Sequence, residues 1–200
     1  MDKKTIIIFS LIFILLLGGL IVIKKANKKE DGNYMTGKVN VLIKVKEYGD
    51  IKLELDADTA PITVTNFVNL VNEHFYDGLT FHRIMDNFMI QGGNGETAGK
   101  HANSIKGEFS SNGVENNISH VRGVISMART SVKDSASSQF FITNADATFL
   151  DGNYAAFGHV TEGMEVVDKI TSEIAPRTLD DNGTISNVDQ PVIETITVVE

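Results

Sequence analysis

Residues Phe81 to Gly93 read FHRIMDNFMIQGG: six large apolar side chains, a glycine pair at the end, and one arginine, Arg83, in their midst. A guanidinium in such company is costly unless it is paired or put to use. Any fold for this chain must therefore give Arg83 a partner or a task. On the pattern of apolar positions, Phe81–Met85 and Met89–Gln91 read as strands. Phe81 and Arg83 would then share one face and His82 would take the other. Met89 and Gln91 would likewise share a face.

The chain has 200 residues, enough for one domain with a real core plus an appendage. The appendage is legible at the start. Thr5 to Ile23 carries no charge and is flanked by Lys3 and Lys4 before and by Lys24, Lys25, Lys28 and Lys29 after. As a helix at ~1.5 Å per residue it would span roughly 28 Å, about one hydrocarbon core. A cleaved signal peptide has a shorter apolar stretch and small residues at −3 and −1; cutting after Ala26 puts Lys24 at −3. Residues 1–23 are accordingly read as an uncleaved single-pass anchor in the cell membrane, 24–38 as a polar tether and 39–200 as the functional domain. The downstream lysine excess favours a cytoplasmic domain. The short MDKK start resembles a secretory signal-anchor, and the reading adopted is an extracytoplasmic domain.

Charge and composition narrow the function classes. The net charge is −8, yet residues 1–30 carry +4, so the remainder carries −12. An acidic domain argues against nucleic acid as partner. Cysteine is absent, which removes disulfides, thiolate zinc sites and a thiol nucleophile. The five histidines match no metal-binding spacing, and no GxSxG or SxxK motif is present. QGGNGETAG does not match a phosphate-binding glycine loop. No metal and no cofactor is expected.

From Val39 onward the chain is punctuated by turns. VNVLIKV and IKLEL alternate around Tyr48-Gly49-Asp50, a hairpin signal. In DTAPITVTNFVNLVNEHF, Val64, Phe67, Val68 and Val71 recur at helical spacing. Pro61 suits the first turn, and Asp58 or Thr59 can cap it. Gly92 to His120 reads as a long polar loop, which in a compact domain is usually functional or mobile. GVISMA, QFFIT, AAFGHV and VIETITVV read as strands and GMEVVDKIT as a second short helix. About eight strands and two helices favour a barrel or sandwich.

Three segments share one chemistry: FHRIMDNFMIQGG, SMARTSVKDSASSQFFI and FLDGNYAAFG. Each joins large apolar side chains to one or two planar polar groups. Together they would make an apolar pocket holding one Arg and one Gln, suited to an apolar ring beside an amide. Other readings are a strand Arg in a structural ion pair and barrel core for the apolar set. Core suits Phe140 and Ile142 better than Phe141.

These segments resemble the cyclophilin family of peptidyl-prolyl cis-trans isomerases, from about Val39 to Val199. The resemblance implies a mainly β fold, a closed eight-stranded antiparallel barrel capped by two helices. It implies a monomeric enzyme that acts on proline-containing polypeptides and assists their folding. Arg83 would be the catalytic donor. Phe88, Met89, Phe141 and Leu150 would line the proline pocket, and Gln91 would bind a substrate carbonyl or orient Arg83. Ala128, Arg129, Gln139, Phe149 and Tyr154 would contact substrate, Arg129 through its backbone. A competing class is a proline-binding chaperone module that has lost catalysis; the intact Arg83, Phe88, Gln91, Phe141 set speaks against it. Phe149 stands where well-known eukaryotic members have Trp, and Tyr154 where they have His. Ile105 to Asn117 also departs from those forms. These departures bear on inhibitor binding and sequence preference, not on Arg83.

Overall fold

Strands β1 (Lys38–Val45) and β2 (Gly49–Asp56) form the hairpin that the alternation predicts. Val39, Val41 and Ile43 lie opposite Leu55, Leu53 and Ile51, all on the buried face. The structure is a computed structural model and describes residues 33–200. The expected anchor at 1–23 and most of the tether at 24–38 lie outside the described residues. Tyr34 to Glu200 forms one unit. Among the described residues no helix is long and apolar enough to cross a membrane.

The remaining strands are β3 (Phe81–Met85), β4 (Met89–Gly92), β5 (Val124–Met127), β6 (Phe140–Thr143), β7 (Ala156–Glu162) and β8 (Ile193–Val199). All eight join one antiparallel sheet in the order β3-β4-β6-β5-β7-β2-β1-β8. The expected closed barrel is instead a curled sheet whose ladder is open, with β3 and β8 at its ends. The seam between them has an isolated bridge, Thr80 to Val192. Backbone bonds from Phe81 N–H to the Pro191 carbonyl (2.9 Å) and from Ile193 N–H to the Leu79 carbonyl (2.8 Å) flank it. Pro191 has no N–H to donate, so a regular ladder cannot run through this point.

Helix α1 (Pro61–Asn72) buries Val64, Phe67, Val68 and Val71 as the spacing predicts, together with Thr63 and Leu70. Its start differs from expectation. The residue before Pro61 is Ala60, which has no capping side chain. Asp58 accepts instead from Gly37 N–H, and Asp56 takes the N–H groups of Asp58 and Thr59. The free donors of the first turn go to a distant acid: Glu108 accepts from Ile62 N–H (3.1 Å), Thr63 N–H (2.7 Å) and the Thr63 hydroxyl (2.7 Å). Glu108 is 1% exposed. Its charge is tolerated because the positive end of the helix and three donors replace its hydration. Helix α2 (Met164–Ile174) packs Val166, Val167, Ile170 and Ile174 inward.

The main core centres on Phe67, whose ring lies 5.1–5.6 Å from those of Tyr76, Phe140 and Phe157. A polar knot lies at its edge. His120 is 1% exposed; its Nδ1 meets Asp151 Oδ1 at 2.8 Å and its Nε2 meets Ser126 Oγ at 3.0 Å. Asp151 also accepts from His120 N–H and the Ser119 hydroxyl. The carboxylate fixes the proton on Nδ1, so Nε2 accepts from the serine.

Two stability predictions follow from these buried polar groups. Glu108→Ala leaves three donors without an acceptor and should cost about 2 kcal/mol in urea unfolding, with Glu108→Gln recovering part of it. Burial draws the His120 pKa down, against the pull of Asp151, and burial draws down His82 as well. A depressed histidine pKa favours the neutral native form. Stability should therefore be full above about pH 6.5 and fall as the pH drops through the lower folded values. Unfolding free energies at pH 7.5 and 5.5 check this, and His120→Gln should flatten the difference.

Candidate active site

Arg83 and Phe81 do not share a face, because β3 is bulged. Phe81 pairs with Gly92 and Arg83 with Gln91, so His82 is an extra residue on β3. Phe81 and Ile84 drop into the main core at 0% exposure. Arg83 turns out of it and remains half-buried. Regular alternation would have carried the guanidinium to the face that buries Phe81. The pair Phe88 and Met89 is also resolved locally. Asp86 to Phe88 is a turn with Asn87 at φ +56°, and the strand begins at Met89, so the two side chains leave different backbone geometries.

Arg83, Gln91 and Phe141 stand opposite one another on β3, β4 and β6. Phe140 and Ile142, the neighbours of Phe141, point into the main core. Phe141 belongs to a second, smaller cluster with Met89, Ala147 and Leu150, against which Phe88, Ala128 and Tyr154 pack. Arg83, Phe88, Met89, Gln91, Phe141 and Leu150 line a hollow of about 110 Å³, with Ala128, Arg129 and Tyr154 completing its wall. A larger open cleft of about 710 Å³ lies beyond the β3–β4 turn, between Met85–Asn87 and Asp180–Gly183. Its arginine, Arg122, is held bidentately by Asp168 at 2.7 Å. The smaller hollow is thus the one that offers a guanidinium to an apolar ring.

The guanidinium is oriented from several sides. Nε donates to the Asn182 carbonyl at 2.6 Å and NH1 to Gln91 Oε1 at 3.2 Å. NH2 approaches the Met85 sulfur at 3.1 Å, and the carbon of the group lies 5.9 Å from the Phe88 ring centre. None of these partners is a carboxylate, so the charge is not neutralised by an ion pair at the site. Burial lowers the Arg83 pKa from its ordinary value, and Tyr154 and Asp180 oppose that. The group stays charged at any working pH. N–H bonds of NH1 and NH2 remain available to the hollow.

The other expected contacts take distinct places. Gln139 lies behind Gln91 and accepts from its Nε2 at 3.0 Å, and its carbonyl accepts from Ala128 N–H at 2.9 Å. Arg129 donates to the Asn153 carbonyl and lies 4.6 Å from the Tyr154 ring centre, so its guanidinium is turned onto its own domain. Tyr154 meets Phe141 edge-on at 6.0 Å. Phe149 stands outside the hollow, 71% exposed, with its ring 5.5 Å from that of Phe88.

Sequence reasoning missed Met85, the Asn182 carbonyl and the His120 knot. Nothing in the spacing of residues 83 and 182 pointed to a contact. His120 stacks on Phe141 with ring centres 6.1 Å apart and planes at 16°, and Asp151 follows Leu150, so the knot supports two walls of the hollow. Its order of hydroxyl, imidazole and carboxylate is that of a hydrolase triad. Ser126 is 0% exposed, however, and no substrate carbonyl reaches it.

Comparisons with known proteins agree with this geometry. A family model described as cyclophilin type peptidyl-prolyl cis-trans isomerase/CLD matches residues 40–198. Peptidyl-prolyl cis-trans isomerase A of Dickeya dadantii is 49% identical over 131 residues, which are 62% of this chain and 66% of that relative. The peptidyl-prolyl cis-trans isomerase of Acinetobacter baylyi is 46% identical over 142 residues, 66% of this chain and 73% of the relative. A crystal structure of a Cryptosporidium parvum cyclophilin type peptidyl-prolyl cis-trans isomerase, determined in the presence of the dipeptide Ala-Pro, superposes with a TM-score of 0.68. It is 27% identical and covers 80% of this chain and 99% of that one. A sheet of this order, an arginine turned into an apolar hollow and a family match along nearly the whole domain have one common reading: the chain belongs to the cyclophilin type peptidyl-prolyl cis-trans isomerase family.

Proposed function

We propose that this chain accelerates rotation about X-Pro peptide bonds in polypeptide substrates, and so assists their folding, with Arg83 as the catalytic donor. The observation that carries the reading is a charged guanidinium with free N–H bonds facing an apolar hollow. An X-Pro bond turns slowly because C–N resonance sets a barrier near ~18–20 kcal/mol, and uncatalysed isomerisation takes about 10–100 s. No bond is broken, so neither nucleophile nor general base is required. What lowers the barrier is a donor that takes up the nitrogen lone pair as it leaves conjugation.

The proposed division of labour follows the chemistry of each side chain. Phe88, Met89, Phe141 and Leu150 hold the proline ring by apolar contact, leaving the amide free to turn at the mouth. Gln91 orients NH1 of Arg83, and Gln139 holds Gln91. Ala128 and the Arg129 backbone bind the extended peptide, and Phe149 and Tyr154 form the rim. In the planar amide the nitrogen is a poor acceptor; as the bond twists, its lone pair localises and the Arg83 contact strengthens. Binding that grows toward the twisted state lowers the barrier rather than merely holding substrate.

We also propose that Thr5–Ile23 anchors the protein in the cell membrane, that residues 24–38 tether the domain, and that the domain works outside the cytoplasm as a monomer. The length of the uncharged run and its lysine flanks support this reading.

Arg83→Ala should lower the catalytic constant by about two to three orders of magnitude, roughly 3–4 kcal/mol, while peptide affinity changes little. Arg83→Lys should recover little, because an ammonium on a flexible stem cannot reproduce the fork. Exchange spectroscopy on a short X-Pro peptide, with binding and melting on the same samples, decides it. Near-normal turnover in folded Arg83→Ala protein would sink the mechanism; peptide binding without turnover in the wild type would favour the non-catalytic module. For the anchor, the protein should stay with membranes through an alkaline wash. Protease added outside intact, wall-stripped cells should digest the domain, whereas protection until lysis would place it in the cytoplasm.

A further inference from the structure

The turn from Asp180 to Thr184 lies 99 positions along the chain from Arg83, yet it holds that side chain by its Nε. The turn is closed by one carboxylate. Asp180 Oδ1 accepts from Asn182 N–H and Thr184 N–H, both at 3.0 Å, and Oδ2 accepts from the Thr184 hydroxyl at 2.8 Å. The turn is also clamped to the outer edge of β3. Ile84 N–H donates to the Gly183 carbonyl at 2.9 Å, and Arg83 and Thr184 form an isolated antiparallel bridge. Gly183 has φ +82°, and a Cβ there would lie 2.5 Å from Met85 Cγ and 2.6 Å from the Ile84 carbonyl oxygen. The turn can approach β3 this closely because a glycine stands there.

We propose that Asp180 is a positioning residue for isomerisation: it holds the turn so that the Asn182 carbonyl locks Arg83 Nε and directs NH1 and NH2 into the hollow. The inference rests on Arg83 being the catalytic donor. Gln91 alone grips one terminal nitrogen, about which the fork can still swing. A second acceptor at Nε, on the opposite side of the guanidinium carbon from NH2, fixes its plane. The Asn182 carbonyl does this as a neutral acceptor, so the positive charge stays available to the prolyl nitrogen. A carboxylate in direct contact would instead pair with it. Asp180 supports the charge from a distance, raising the Arg83 pKa against burial. Because a transition-state donor must be aimed within a narrow angle, loosening this grip weakens turnover more than binding.

The test uses Asp180→Ala and the milder Asp180→Asn in the full chain, each alone and combined with Arg83→Ala. Asp180→Ala should lower the catalytic constant by about tenfold to a hundredfold with the Michaelis constant and melting temperature little changed. Asp180→Asn, which keeps one acceptor oxygen for the turn, should fall between it and wild type. The Arg83 Nε–H proton signal, read by nitrogen-15 correlation, should move toward its solvent-exposed position in Asp180→Ala. In the Arg83→Ala background, Asp180→Ala should have no further effect, since the group it positions is gone. Wild-type turnover in both Asp180 variants, or an Asp180→Ala loss that multiplies fully onto the Arg83→Ala loss, would overturn the proposal. An unmoved Nε–H signal would overturn it equally. Should Arg83→Ala itself retain turnover, it is the catalytic reading of Arg83 that fails, and the Nε–H signal still reports whether Asp180 orients the side chain.

Discussion

A guanidinium cannot enter the core of this domain, and the bulge at His82 is how the sheet accommodates one on a strand whose neighbours are core. Without the extra residue, the period of two would carry Arg83 to the face that buries Phe81. With it, Phe81 and Ile84 pack inward and Arg83 emerges beside Met89 and Gln91. The hollow, the polar row across β3, β4 and β6, and the contact with Asn182 all depend on that local slip. The residue that makes the slip carries some of its cost: His82 leaves its buried Nδ1 without a partner. A desolvated nitrogen of this kind is destabilising, and here it accompanies the placement of a functional group.

The rest of the domain holds that geometry rigid by burying polar groups in pairs. Glu108 reaches across from the long loop to the start of α1, replacing a local cap with a contact 45 residues away. His120, Ser126 and Asp151 tie β5 to the turn that carries Leu150 and stack under Phe141. The loop between β4 and β5 is therefore no loose connection, since it supplies both Glu108 and His120. Its length reflects the polar acceptors and donors it delivers to a helix end and to the back of the hollow. Rigid walls matter because apolar contact gives little directional preference by itself. Orientation of a proline ring has to come from the shape of the wall and from the two amides, Gln91 and Gln139, that fix the donor.

What the sequence by itself determined was whatever depends on local period and composition. The β1–β2 hairpin, the buried face of α1, the count of eight strands and two helices, and the division of Phe140 and Ile142 from Phe141 all follow from side-chain alternation, which chain neighbours dictate. The motif-bearing segments were also legible, and most of their side chains do converge on one hollow. Phe149 at its margin and Gln139 behind it show the limit: a motif names residues, while exposure depends on what packs beside them. Tertiary structure alone decided the rest, because these contacts join residues far apart in sequence whose types are unremarkable. Asp58 and Thr59 are good capping residues, yet Glu108 caps the helix because the loop brings a desolvated carboxylate to its end. The sheet stays open at β3 and β8 because Pro191 interrupts the ladder where they meet. Arg83 is aimed by the carbonyl of Asn182, and a backbone carbonyl is present at every residue, so no side-chain pattern can mark it; only the folded turn puts that oxygen 2.6 Å from Nε.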